Sequence, residues 1–244
     1  PKLVGSGGLS LERAGFHDWP LRLARIIGSP RFAAVGSTCF TGIGCAELGV
    51  KAQENVWGPR LVEFRHALDF NATSRKVFAR HSPGVSLHLD ILDWMPLELR
   101  RSLGSNLPFE TLHRKIVNSD VKLNFTNKDG ARFHFGCIHV AGPPCVDFSN
   151  MGLRRGCGGP TARVFLVWIQ ALRDQRPAVV IFENVVSFPV QMLIDLLGDL
   201  YECSDAALDP ASWGWLVHRR RRYCIFTLRG AGALTRPLEA MSDV

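Results

Sequence analysis

The chain has 244 residues, of which 46% are hydrophobic and 21% charged, a balance that fits a globule with a substantial core and excludes a disordered or fibrous chain. No apolar run approaches the roughly 18 residues that a membrane-crossing helix needs, so no membrane partner is expected. With 29 basic and 22 acidic residues the formal charge is +7, which favours a polyanionic partner such as nucleic acid but says nothing of chemistry.

The seven cysteines are odd in number and form no CxxC pair. Neither a disulfide framework nor a metal site is therefore expected, and a reducing compartment suits them. No signal peptide is visible, and the opening "PKLVGSGG" lacks a methionine, which reads as a piece of something longer.

In chain order, residues 1–31 form an N-terminal extension in which 10–28 can make a short amphipathic helix, with Gly28 and Pro30 ending it. From Phe32 the pattern alternates. Strands are expected at "FAAVGSTCF", "LVEFRHALD", "VSLHLDI", "RFHFGCIHVA", "AVVIFEN" and "RYCIFTL", and helices at 71–80, 161–175 and 189–200. Such βαβ alternation predicts an α/β fold with a mostly parallel central sheet and helices on both faces, over residues 32–230. An insertion at 104–132 interrupts it, with "VKLNFTNKDGARFHF" closing as a hairpin at Asp129-Gly130. Residues 231–244 make a short tail.

In an open parallel sheet, ligands bind beyond the carboxyl ends of the strands, and the unusual residues cluster there. After the first strand, "CFTGIGCAELG" lets Gly42 and Gly44 turn sharply at the start of a helix whose amides face a ligand. Glu47 stands where a dinucleotide fingerprint would place its third glycine, which argues against a pyrophosphate. Asp69 ends the second strand, placed to accept both hydroxyls of a ribose. Asp90 ends the third, placed to accept from an adenine amino group. Each acid alone is more often a helix cap or a surface charge. Together with the glycine turn they favour an adenosine-containing cofactor without a pyrophosphate, and S-adenosylmethionine fits.

"CIHVAGPPCVDFSNMG" places Cys145 behind Pro143 and Pro144, which stiffen the approach and set the direction of the thiol. A thiolate is a competent nucleophile. "VVIFENVVSF" ends a buried strand in Glu183-Asn184, where desolvation would favour a protonated carboxyl suited to general acid work; a helix-capping acid reads equally well. "WGWLVHRRRRYCIF" places Arg219 to Arg222 before a strand, with Arg219 and Arg221 on one face and Arg220 and Arg222 on the other. A solvated edge or a nuclear localisation run would look the same.

In this order, "FTGIG", "GPPCVDFSNMG", "ENV" and "GWLVHRRRRY" resemble the cofactor, nucleophile, glutamate and arginine motifs of the cytosine-C5 DNA methyltransferase family, over residues 38–228. The resemblance implies a Rossmann-like, S-adenosylmethionine-dependent methyltransferase fold. It also implies transfer of a methyl group to C5 of cytosine through a covalent cysteine adduct at C6 of a flipped base. Cys145 would be the nucleophile, Glu183 the acid at N3, Arg221 the contact to O2, and Arg219 an orienting residue. Phe40, Gly42 and Gly44 would line the cofactor loop, Asp69 would take the ribose and Asp90 the adenine. Pro144 would lie between cofactor and base.

Cys45 stands where the family commonly has a second glycine. Placement from Gly214 selects Arg219 and Arg221, while a shift by one residue would select Arg220 and Arg222. After the arginine strand only "GAGALTRPLEAMSDV" follows, too short for the target-recognition region that the family carries. A fragment, a second chain that supplies recognition, or a catalytically inactive nucleic-acid-binding relative would each explain it. DNA is the expected partner and tRNA the alternative. The expected location is the nucleus in a eukaryote and the cytoplasm otherwise.

Overall fold

The computed structural model describes residues 34–57, 62–103, 107–117, 121–127, 130–147, 159, 161–214, 216–232, 234 and 238. The N-terminal helix expected within 10–28 lies outside the described residues, as does most of 231–244. The strands are β1 (Ala34–Cys39), β2 (Val62–Leu68), β3 (Ser86–His88), β4 (Ile138–Ala141), β5 (Val179–Asn184), β6 (Tyr201–Leu208) and β7 (Arg221–Leu228). The α-helices are α1 (Cys45–Trp57), α2 (Ala72–His81), α3 (Leu97–Ser102), α4 (Phe109–Ile116), α5 (Ala162–Gln175) and α6 (Val190–Leu197).

The strands form one seven-stranded sheet in the order β3-β2-β1-β4-β5-β7-β6. β7 runs antiparallel to both of its neighbours, and the pairs from β3 to β5 are parallel. The chain is thus an α/β protein with the Rossmann-like architecture expected. Among the described residues no helix is long and apolar enough to cross a membrane.

The two faces of the sheet are sorted by the two-residue period of its strands. On β5, Val180 and Phe182 face the main core with Phe165, Trp168 and Leu172 of α5, whereas Val179 and Ile181 pack on the other face with Ala34, Val50 and Val62. α5 is buried along most of its length, which its run "ARVFLVWIQAL" demands. Beneath it, His139 on β4 is fully buried, with Trp168 Nε1 donating to its Nε2 at 3.1 Å. Indole only donates, so that nitrogen is bare and the ring carries its proton on Nδ1, 2.9 Å from Ser37 Oγ. Burial pushes the His139 pKa down to about 3.

Three expectations change. The fourth strand was read as 132–141 but pairs in the sheet only over Ile138–Ala141. Phe133 and Phe135 turn away to stack with Trp94 and Phe125, an aromatic cluster that uses up the alternation a strand would have needed. β6 was not anticipated, because "YECSDAAL" is too polar to announce itself and is held at the edge by pairing with β7. The 104–132 insertion contains α4 as well as the hairpin, whose arms meet at Thr126 and Arg132 with Gly130 at φ +81°.

Candidate functional site

The carboxyl ends of β1, β2 and β3 carry one half of the site. Leaving β1, the backbone turns at Phe40 (φ +58°), Gly42 (φ +57°) and Gly44 (φ +86°) before entering α1. A positive φ is ordinary for glycine but costs a phenylalanine steric strain, so the turn at Phe40 is held by its surroundings. Asp69 supplies part of that hold. Its Oδ2 accepts from the Gly42 amide and its Oδ1 from the Asn71 amide, both at 2.7 Å. The Asp69 carboxylate therefore buttresses the glycine loop, a role that sequence reasoning did not assign to it. Each oxygen keeps lone-pair capacity for a further donor.

Behind the loop, His81 at the end of α2 donates through Nε2 to the Ile43 carbonyl, while Ser82 Oγ lies 3.0 Å from its Nδ1. A Cβ on Gly44 would stand 2.6 Å from the His81 ring, so glycine is required there by contact as well as by φ. Glu47, in the first turn of α1, is buried and accepts from Thr38 Oγ1 at 2.6 Å. Burial raises the Glu47 pKa, opposed by the bonds from Thr38 and Thr41.

Asp90 meets its helix-cap reading. Oδ1 accepts from the Leu92 amide at 2.9 Å and Oδ2 lies 3.6 Å from Arg100. Three side chains that sequence reasoning passed over stand exposed at the same edge: Ile43, Phe70 and Leu89. Phe70 is the most open, at 78%. The signal was available, since Phe70 and Leu89 each adjoin one of the singled-out acids. At Gly42 nothing stands within 4 Å of where a Cβ would sit, so the loop leaves open space beside the amide that Asp69 holds.

The other half of the site lies where β4, β5 and β7 meet. Beyond β4, the loop Gly142–Cys145 passes against Glu183: a Cβ on Gly142 would stand 3.2 Å from Glu183 Oε2. Asn184, buried beside it, donates through Nδ2 to the Pro143 carbonyl at 3.1 Å and accepts the Val185 amide at 2.9 Å. It ties the proline loop to β5, a task not foreseen for it. Pro144 is exposed, and Cys145 is a half-buried free thiol. Two residues on, the buried Asp147 accepts from the backbone and hydroxyl of Thr161, at the head of α5.

Glu183 is less buried than expected, with 32% of its side chain exposed, and its Oε1 is 3.1 Å from Arg221 Nε. The desolvated carboxyl expected from the sequence is thus an ion pair at the rim. Directly across the ladder from Glu183 is Tyr223, whose pKa is raised by burial and then by Glu183, against the pull of Arg219 and Arg221. Arg222 points to the opposite face and bonds Asp205 at 2.6 Å. Arg221 joins Glu183, Arg222 is committed elsewhere, and Arg219 is exposed with its amide bonded to Asp209 at 3.1 Å.

The family model for C-5 cytosine-specific DNA methylase matches residues 109–232. Over 93 residues the chain is 29% identical to the DNA (cytosine-5-)-methyltransferase DMT5 of Cryptococcus neoformans var. grubii, a match that covers 36% of this chain and 4% of that protein. Among solved structures, it is similar to the Dnmt2 methyltransferase of S. pombe (TM-score 0.50, 15% identity, 82% of this chain and 51% of that one). The Entamoeba histolytica methyltransferase EhMeth also matches (TM-score 0.53, 15% identity, 86% of this chain and 56% of that one). A Spodoptera frugiperda DNMT2 variant gives a TM-score of 0.51 at 20% identity, over 85% and 54% of the two chains. The chain spans about half the length of these structures, and at such identities the likeness is one of fold.

Proposed function

Because this chain belongs to the C-5 cytosine-specific DNA methylase family, we propose that it transfers a methyl group from S-adenosylmethionine to C5 of cytosine in DNA. The observation that carries the proposal is the meeting of three sequence-distant segments: Glu183 pairs with Arg221, and its neighbour Asn184 bonds the loop that leads to Cys145.

The residue types answer to the chemistry. C5 of cytosine is a weak nucleophile until the aromatic ring is interrupted. The Cys145 thiolate adds to C6, forming a carbon–sulfur bond, as Glu183, which rests as an ion pair and first takes up a proton from solvent, delivers that proton to N3; the electron pair released into the ring then makes C5 an enamine carbon. When bound, S-adenosylmethionine would supply the electrophilic methyl group for that carbon, its sulfonium becoming a neutral thioether. A base removes the C5 proton, N3 returns its proton to Glu183, and the thiolate departs as the ring regains its double bond. Arg221 holds Glu183 in place and offers its remaining guanidinium donors to the cytosine O2, with Arg219 at the rim. Asn184 and the two prolines hold the Cys145 loop, so that the thiol approaches one face of the ring. The target base must be turned out of the helix to reach this edge of the sheet.

At the other half, Asp69 would take the ribose hydroxyls, Phe70 would cover the adenine, and Asp90 would accept from its amino group. Phe40, Gly42 and Gly44 shape the intervening loop.

The test is trapping. Incubation with S-adenosylmethionine and DNA that contains 5-fluorocytosine is expected to leave a denaturant-resistant adduct, lost in Cys145→Ser. An adduct on tRNA alone would move the substrate to RNA. No adduct on either, despite measured cofactor binding, would refute the catalytic reading.

A further inference from the structure

Directly after Cys145 the chain inverts the usual placement of its side chains. Val146 is 49% exposed, while Asp147 next to it is fully buried. Aspartate is seldom buried unless something holds it, and here the partner is a single residue. Oδ2 accepts from the Thr161 amide at 3.1 Å and from the Thr161 hydroxyl, while Oδ1 is buried with no partner among the described residues. Thr161 stands at the cap position of α5 but makes no cap bond within its own helix, since its hydroxyl donates to Asp147 instead. The carboxylate therefore meets the positive end of a buried 14-residue helix. Gly159 fits closely against it: a Cβ there would stand 1.9 Å from the Asp147 Cγ.

We propose that Asp147 is a positioning residue for Cys145, and that two clamps acting together aim the thiol: the Asn184 side chain on Pro143 and the Asp147 carboxylate on Thr161. The inference rests on the function proposed above and deepens it, since it names what orients the nucleophile of that reaction. The anchors lie two residues before and two residues after Cys145, so its Cα stands within about 7 Å of each. One anchor alone would leave the residue free to swing about that point. Two anchors, one on a central strand and one on a core helix, confine it to a narrow arc. A buried carboxylate with one oxygen unpaired is a poor way to stabilise a loop, because an apolar side chain would cost less; what it adds is direction, through two bonds to one residue.

The experiment reads single-turnover trapping on 5-fluorocytosine DNA at saturating S-adenosylmethionine, with cofactor affinity from calorimetry and a thermal melt of each variant. Thr161→Val deletes the hydroxyl and keeps the amide bond. It is expected to slow trapping about tenfold while cofactor affinity stays within about twofold of native, since the cofactor half of the site lies on other strands. Thr161→Ser keeps the hydroxyl and should recover the rate that Thr161→Val loses. Asp147→Ala should slow trapping on the order of a hundredfold. Added to Asn184→Ala, it should cost less than about threefold more, because the loss of either clamp already releases the thiol. Full multiplication of the two losses would refute joint action, and native rates in Thr161→Val and Asp147→Ala would refute the clamp outright. Equal loss of trapping and of cofactor affinity would make Asp147 a folding residue and refute the positioning role. Iodoacetamide labelling of Cys145, read on its own peptide, needs no nucleic acid. Asp147→Ala should speed it by about threefold or more, with the buried Cys39 and Cys224 still protected. If the native chain traps neither DNA nor tRNA but this labelling rises, the clamp stands and the function proposed above falls. Unchanged labelling overturns the clamp whatever the substrate.

Discussion

Asn184→Ala isolates the link between β5 and the Cys145 loop. The native amide makes two bonds, Nδ2 to the Pro143 carbonyl at 3.1 Å and Oδ1 from the Val185 amide at 2.9 Å. Pro143 is buried, so truncation strands its carbonyl without a partner, a loss of about 1–3 kcal/mol. In a domain of this size that corresponds to a fall in Tm of roughly 2–12 °C. The catalytic effect should exceed the thermal one. Freed from β5, the loop no longer aims the thiol, and a misplacement of about 1 Å costs on the order of a hundredfold in rate. Asn184→Asp sharpens the test: a carboxylate still accepts from Val185 but offers Pro143 an acceptor against an acceptor. It should be at least as damaging as alanine at neutral pH. The assay is single-turnover trapping on 5-fluorocytosine DNA with a thermal melt of each variant. Native trapping rates in both variants, with unchanged melts, would refute the assignment of Asn184 as the tether.

Other outcomes follow from the same geometry. Glu183→Gln is expected to slow methyl transfer by roughly a hundredfold, with DNA affinity retained, as judged by comparing kcat with KM. Arg222→Gln should lower the denaturation midpoint and leave turnover near native, because Arg222 is bonded to Asp205 on the opposite face, whereas Arg221→Gln should do the reverse. Gly44→Ala should weaken S-adenosylmethionine binding measured by calorimetry, since it combines a φ of +86° with a Cβ 2.6 Å from the His81 ring. Buried neutral His139, with its pKa lowered to about 3, binds no proton in the folded state until the medium is far more acid than the unfolded chain requires. Its contribution to stability is therefore full above about pH 6.5 and is lost as pH falls from there towards 3, by about 1.4 kcal/mol per unit. Urea titrations of the native chain and of His139→Gln between pH 7 and 5 should differ in slope accordingly.

Much of the fold could be read without coordinates, because short strand-like runs such as VVIFEN alternate with helical stretches in the order that a parallel sheet requires. Elements that owe their form to partners distant in sequence were hidden. β6 is polar and is a strand only because β7 lies beside it, while Phe133 and Phe135 look like strand residues yet belong to an aromatic cluster. The same division holds at the site. Residue types and motif order along the chain single out Cys145, Glu183, the arginine run and the acids at the strand ends as candidates. Which arginine meets Glu183, that Asp69 braces the Gly42 loop, and that Asn184 holds the Pro143 carbonyl were decided only by the tertiary structure. The physical reason is one of range. Local sequence carries backbone preference and side-chain chemistry, whereas a hydrogen bond between groups 27 or 41 residues apart depends on strand register, which no short segment encodes by itself.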